Sequence, residues 1–325
     1  MSETSSSSAI EINNLRKSFD RRVKTGHFRR ERRIHEAVVD VTLRVGTGEI
    51  VGYIGPNGAG KSTTIKMLTG ILQPSSGEVR VAGLVPVRDR VRLARRIGVV
   101  FGQRSNLWWD LPLADSFDLL RHVYRVSMSA HTKTLAWLTE LLDLGPFLSL
   151  PVRQLSLGQR MRGELTSALL HDPEIVFLDE PTVGLDVVAK HAVREALRTI
   201  HRERAVTIIL TTHDLVDVEE LCPRLVIIDH GRVIHDGRTA ELKQRYGGER
   251  TLVVDLDDAR EPLIVEGARC TKVDGPRQWL SFPPSVSAAS VLASIATQAG
   301  VRDLTVQEPD IEDIVRRIYK DGGHG

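Results

Sequence analysis

The run Gly55-Pro56-Asn57-Gly58-Ala59-Gly60-Lys61-Ser62 matches G-x-x-x-x-G-K-[ST], whose glycines let backbone N–H groups close around a polyphosphate. At this spacing Lys61 reaches the β/γ-phosphates and the Ser62 hydroxyl holds Mg²⁺, with Thr63 following directly. Three apolar runs elsewhere end at polar residues. Ile97–Phe101 leads to Gln103, Ile175–Leu178 to Asp179-Glu180, and Val206–Leu210 to His213. Adjacent acids at a strand end supply one carboxylate for a metal, Asp179, and one for a water, Glu180. Phosphoryl transfer asks a protein for that division of labour: positioning, charge stabilisation and a group to orient or deprotonate water.

The elements around these residues have the pattern needed to gather them. Glu49–Ile54 reads as a buried strand and Thr63–Thr69 as a helix whose N-terminus faces the anion. Strand-like and helical segments alternate from residue 10 to residue 245, which predicts an α/β core. In such sheets ligands gather beyond the carboxyl ends of the strands, so the three polar strand ends can converge. Residues 225–236 read as a hairpin turning at His230-Gly231. A helical lobe is expected over about 104–170, with helices at Leu113–Arg125 and Thr132–Leu144. A further helix opens at Ser156, with Met161, Leu165, Ala168 and Leu169 on its apolar face. The Ser156 hydroxyl and the free N–H groups beside Gly158 form a second anion site at that helix N-terminus. After Gly247-Gly248, residues 246–325 read as a small α+β domain: strands near Thr251–Leu256 and Val301–Val306, and a helix over Ser287–Ala299. A last helix follows Pro309-Asp310, with Ile311, Ile314, Val315 and Ile318 on one face. Residues 1–9 read as a disordered Ser-rich tail.

Composition narrows the class. The 325 residues are 41% hydrophobic and 26% charged, with 44 basic residues nearly balancing 42 acidic ones, as in a globular protein with a real core. No apolar run has the length of a membrane span, and Met1–Ser8 lacks the apolar stretch of a secretion signal. Cys222 and Cys270 are the only cysteines, too few for a disulfide framework or thiolate metal site. His27, His122 and His171 lack metal-ligand spacing.

Taken together, residues 10–245 resemble the ATP-binding subunit of an ABC transporter, a P-loop NTPase core with a helical lobe. The resemblance rests on motifs in family order: the phosphate loop, Gln103, Leu155-Ser156-Leu157-Gly158-Gln159, Asp179-Glu180, Gly184-Leu185-Asp186 and His213. It implies that Phe19 stacks on adenine, though Phe19 also reads as an ordinary core aromatic. It implies that Gln103 touches Mg²⁺ or the attacking water and that His213 contacts the γ-phosphate. Ser156, Gly158, Gln159 and Asp186 would complete the site of a second subunit, identical or different, so that two ATP molecules lie sandwiched head to tail. Gly55, Asn57, Gly58, Ala59, Gly60, Lys61, Ser62 and Thr63 would hold the chain's own nucleotide. One departure stands out: Leu157 replaces the family's usual glycine. Its side chain is expected to pack into the helical lobe, the alternative being to crowd the γ-phosphate.

The finer resemblance is to ABC-2-type exporter subunits, including daunorubicin- and viologen-resistance ATPases, through Phe101–Pro112 and Glu308–Ile314. It implies separately encoded multi-span membrane subunits, a place on the cytoplasmic face of the membrane, and no nucleic-acid partner. An importer subunit, or an ATPase acting on DNA or ribosomes, are the alternatives. The second phosphate loop or coiled-coil insertion usual in the latter classes is absent from this sequence. Trp108-Trp109 read equally as core or as the surface that receives the membrane subunit. Residues 20–34 form a basic insertion carrying Arg21, Arg22, Lys24, Arg29, Arg30, Arg32 and Arg33. It is either a solvated loop or a contact with anionic lipid headgroups, worth about 1 kcal/mol per basic residue.

Overall fold

A computed structural model of the chain describes residues 8–24, 30–102, 105–246, 248–258, 261–308 and 311–322. The chain divides into two compact units, Met1–Gly237 and Arg238–Gly325.

The first unit begins with two long antiparallel strands, β1 (Ser8–Lys24) and β2 (Arg30–Gly46). Then come β3 (Ile50–Ile54), α1 (Lys61–Leu68), β4 (Ser76–Val81), α2 (Arg90–Ala94) and β5 (Ile97–Phe101). Next are α3 (Leu113–Tyr124), α4 (Met128–Leu141), α5 (Leu157–Leu169), β6 (Ile175–Asp179) and α6 (Val187–Arg204). The unit closes with β7 (Thr207–Thr211), α7 (Leu215–Leu221), β8 (Arg224–Asp229) and β9 (Arg232–Arg238). The strands form one sheet in the order β4-β1-β2-β9-β8-β3-β7-β6-β5. From β8 through β5 the mapped pairings are parallel, and β3, β6 and β7 are apolar and buried along nearly their whole length. Strands covered on both faces need such continuous apolar runs. Val51, Tyr53, Ile65, Phe177, Ile209, Val226 and Ile228 share one core cluster. The register aligns Phe101 with Asp179 and Asp179 with Thr211, so the polar residues after these strands emerge at one edge.

The hairpin expected at 225–236 is β8–β9. Its two-residue turn, His230 (φ 44°) and Gly231 (φ 73°), is left-handed at both positions, the twist that suits a tight hairpin. Gly231 N–H donates to the Ala59 carbonyl at 3.1 Å, so the turn braces the phosphate loop from below.

Four expectations need correction. The core, expected to run to residue 245 with the second domain from 246, ends at Gly237. Ser8 and Ala9, assigned to a disordered tail, already belong to β1, and Ala9 is buried; residues 1–7 lie outside the described residues. The basic insertion is not a loop at 21–24 and 30–33. These residues continue the β1–β2 ladder with Arg21 opposite Arg33, Arg22 opposite Arg32 and Lys24 opposite Arg30, while 25–29 lie outside the described residues. The helix expected from Thr132 begins at Met128, because the Ser127 side chain caps it by accepting from Ala130 N–H at 3.3 Å.

The second unit comprises α8 (Thr239–Tyr246), β10 (Arg250–Leu256), β11 (Arg269–Asp274), β12 (Arg277–Phe282), α9 (Ala288–Ala296), β13 (Val301–Gln307) and α10 (Ile311–Gly322). Its sheet runs β11-β12-β10-β13, antiparallel throughout. Period-two alternation turns Leu252, Val254, Leu256, Leu280 and Phe282 inward to share a core with Val291 and Ile295 of α9. Ile311, Ile314, Val315 and Ile318 of α10 are all buried, as their helical spacing requires.

Candidate nucleotide site

The phosphate loop is the link from β3 to α1. Gly60 holds φ 104°, and a Cβ there would stand 2.5 Å from the Ala37 carbonyl oxygen, so only glycine fits. No side chain caps α1. Its first N–H groups, which have no acceptor within the helix, are therefore available to an anion. Lys61 is buried and folds back across the loop, donating to the Gly55 carbonyl at 2.6 Å and the Pro56 carbonyl at 3.2 Å. Burial draws its pKa below the ordinary lysine value, and the charges of Glu180 and Asp179 pull it back up. Ala59 N–H donates to the Pro56 carbonyl at 3.1 Å, which tightens the turn beside the exposed Asn57 and Gly58. Ser62 and Thr63 follow in the first turn of α1, both half-buried.

Facing this loop are the ends of β6 and β7. Thr211 Oγ1 donates to Asp179 Oδ1 at 2.5 Å and fixes that carboxylate. Glu180 comes next with φ 57°, a left-handed conformation that costs a residue other than glycine about 1–3 kcal/mol. The turn is held because Glu180 N–H donates to the Thr211 carbonyl at 2.9 Å and its own carbonyl accepts from Val183 N–H at 3.3 Å. His213 Nδ1 lies 3.4 Å from Glu180 Oε1. An open cleft of about 730 Å³ is lined by Asn57, Ser62, Phe101, Asp179, Glu180 and His213, with Lys66, Ile71 and Gly102. The Ser62 hydroxyl and the Asp179 carboxylate are hard oxygen donors, the set that suits Mg²⁺. Among the described residues no three His, Cys, Asp or Glu side chains cluster into a self-sufficient metal site. The donor set therefore fits an ion that takes its remaining ligands from phosphate and water.

Other expected site residues stand apart from this cleft. Ser156 and Gln159 form a reciprocal cap on α5: Gln159 N–H donates to Ser156 Oγ at 3.2 Å, and Ser156 N–H to Gln159 Oε1 at 2.9 Å. Asp186 caps α6 by accepting from Ala189 N–H at 2.8 Å. Gly158 approaches Ala189 of α6. None of these residues lines the cleft, nor does Phe19, which is 37% exposed with Lys17 Nζ 5.2 Å from its ring centre. Gln103 lies outside the described residues. Leu157 does not pack into the helical lobe as expected. It is 39% exposed, and its Cδ2 lies 2.9 Å from where a Cβ on Gly184 would stand, against the loop that ends in Asp186.

One polar anchor escaped the sequence reading. Glu164, buried in the middle of α5, accepts from the Ser105 hydroxyl and from Asn106 N–H, the latter at 3.0 Å. Burial holds its carboxyl above the usual carboxylate range, against the lowering pull of those hydrogen bonds. Next to it Gly163 leaves room for Leu107 and Leu113 to pack against α5. The signal was an acid placed between Met161, Leu165 and Ala168 on an otherwise apolar face. Beyond this anchor Trp108 and Trp109 are 40% and 52% exposed, which removes the reading of them as core.

Comparison with known proteins agrees with this geometry. Residues 38–183 match the sequence profile of the ABC transporter family. The Nod factor export ATP-binding protein I of Rhizobium meliloti (strain 1021) is 36% identical over 281 residues, 86% of this chain and 82% of that protein. The daunorubicin resistance ATP-binding protein DrrA3 of Streptomyces coeruleorubidus is 32% identical over 88% of this chain and 92% of its own length. Among solved structures, an ATP-binding subunit of an ABC transporter aligns with a TM-score of 0.62 at 28% identity, covering 74% of this chain and 93% of that one. The dimeric ATP-binding cassette MJ0796, in a post-hydrolysis state with ADP and Pi, aligns with a TM-score of 0.60 at 26% identity over 70% and 98% of the two chains.

Proposed function

The chain belongs to the ABC transporter family of ATP-binding subunits, and from that premise we propose that it is the ATP-hydrolysing subunit of an ABC-2-type export system. It binds MgATP at two composite sites in a head-to-tail dimer and drives separately encoded membrane subunits. The observation that carries the reading is the division of the site. The phosphate loop, Asp179, Glu180 and His213 share one cleft, while Ser156, Gly158 and Asp186 line no part of it. A second copy can bring its α5 N-terminus to the open side of that cleft, where free helix N–H groups would meet a γ-phosphate. The export assignment draws on the two export- and resistance-named relatives.

In this reading Lys61 and the loop amides neutralise the β/γ-phosphates. A bound Mg²⁺, held by Ser62, Asp179 and Gln103, would supply charge compensation at the phosphate oxygens. Glu180 takes the proton of the attacking water, and His213 holds the γ-phosphate from the same side. Phe19 offers its exposed ring to the adenine. No helix among the described residues is long and apolar enough to cross a membrane, so contact with the bilayer comes through partners. The exposed Trp108 and Trp109 are where a membrane subunit docks. The chain then sits at the cytoplasmic face of the membrane.

The test is to purify tagged Glu180→Gln chain with MgATP from the membranes in which it is made, and to identify what accompanies it by mass spectrometry. A multi-span membrane protein is the expected companion. Ribosomal proteins or DNA without a membrane partner would leave an ATPase and overturn the transport reading.

A further inference from the structure

We propose that Asp217 is a positioning residue that locks the Glu180 turn and the His213 turn together, and that it acts on hydrolysis through Glu180. The inference rests on the reading of Glu180 as the base.

Asp217 lies in the first turn of α7 and is fully buried. Its Oδ1 accepts from Arg194 Nε of α6 at 2.6 Å, which balances the charge. A buried carboxylate needs such a counter-ion, and on that account alone Arg194 would suffice. The second oxygen is used differently. Oδ2 accepts from the hydroxyl of Thr182 and, at 3.3 Å, from that of Thr212. Thr182 stands two residues after Glu180 and Thr212 immediately before His213. One oxygen thus ties the chain leaving the base to the chain entering the histidine.

Both tethered segments need the support. Glu180 holds a left-handed backbone that persists only where the surroundings impose it. On the other side Thr212 Oγ1 also accepts from Asp214 N–H at 2.9 Å, and Asp214 Oδ2 accepts from Lys190 Nζ at 2.6 Å. The network therefore runs from α6 through α7 to both turns, with Asp217 its buried centre. Because Thr182 also opens the stretch leading to Asp186, a shift of that loop is passed to Glu180 and His213 at once.

Asp217→Ala would take from Arg194 its buried partner, leaving Glu220 at 3.2 Å and Asp214 at 4.0 Å, and can fail to fold, so the threonines carry the test. Steady-state kinetics and thermal melting of the full chain would be measured for Thr182→Val, Glu180→Gln and the double variant, with single-turnover rates for the slow ones. Loosening the Glu180 turn should lower kcat of Thr182→Val about tenfold with KM for ATP little changed. The lost hydrogen bond should lower the melting temperature by several degrees without unfolding the chain at the assay temperature. In the Glu180→Gln background the same substitution should cost less than about twofold more, since residues acting as one unit are not additive. A Thr182→Val chain with normal kcat, or a full further tenfold loss in the double variant, would overturn the inference. So would a kcat loss that merely follows a collapse in melting temperature. Near-normal turnover of Glu180→Gln alone would sink the base assignment and this inference with it. A slow Glu180→Gln beside an unaffected Thr182→Val would sink only the inference.

Discussion

Glu180→Gln is expected to bind MgATP yet hydrolyse it ~10²–10⁴-fold more slowly, the range that general-base assistance supplies. The amide keeps the size of the side chain, so the turn held by the Thr211 carbonyl and Val183 N–H is preserved. What the amide loses is the capacity to take a proton from water. Binding should hold or tighten for a reason visible in the loop. Glu180 is one of the two carboxylates whose charge offsets the burial of Lys61. With one of them neutralised, the buried ammonium has less counter-charge and a polyphosphate gains more by supplying it. Nucleotide titration and phosphate release on the same preparation separate the two effects. Turnover near that of the unaltered chain would show that another group is the base.

Local patterns explain what could be read from the residues. The phosphate loop is a contiguous run recognisable from its own residues, and β3 and β6 are apolar along nearly their whole length, as buried parallel strands must be. The last helix was legible because Ile311, Ile314, Val315 and Ile318 repeat at helical spacing over a single element. Where the reading failed, the deciding partner was distant in sequence. Ser8 is strand because it pairs with Gly46 at the end of β2, and residues 21–24 and 30–33 of the basic insertion are strand because the β1–β2 ladder continues through them. Asp217 looks like an ordinary helix-surface acid, and Glu164 shows only as an acid on an apolar face, until the fold covers them. Only then do Ser105, Asn106, Thr182, Thr212 and Arg194 become their partners. Leu157 depended on where Gly184 would stand, which its own helix could not reveal.

Lys61→Ala should fail one step earlier, with MgATP affinity falling roughly 30- to 4,000-fold, the equivalent of about 2–5 kcal/mol for removing one partner of a buried, hydrogen-bonded charge pair. The ammonium is already held by the Gly55 and Pro56 carbonyls, so a phosphate meets a fixed donor and loses little entropy in ordering it. Fold stability should change far less. The substitution also removes a desolvated charge, and the two carbonyls it frees lie on a loop bordering an open cleft, where water can replace the lost donor. Lys61→Arg is not expected to restore binding. A planar guanidinium cannot reproduce contacts of 2.6 and 3.2 Å made by a compact ammonium at the base of the loop. Calorimetric titration with MgATP, with a melting curve on each variant, decides the matter. Unchanged affinity in a folded Lys61→Ala chain would mean that the loop amides alone carry the phosphate. A loss of affinity here beside retained affinity in Glu180→Gln would assign binding and hydrolysis to opposite walls of one cleft.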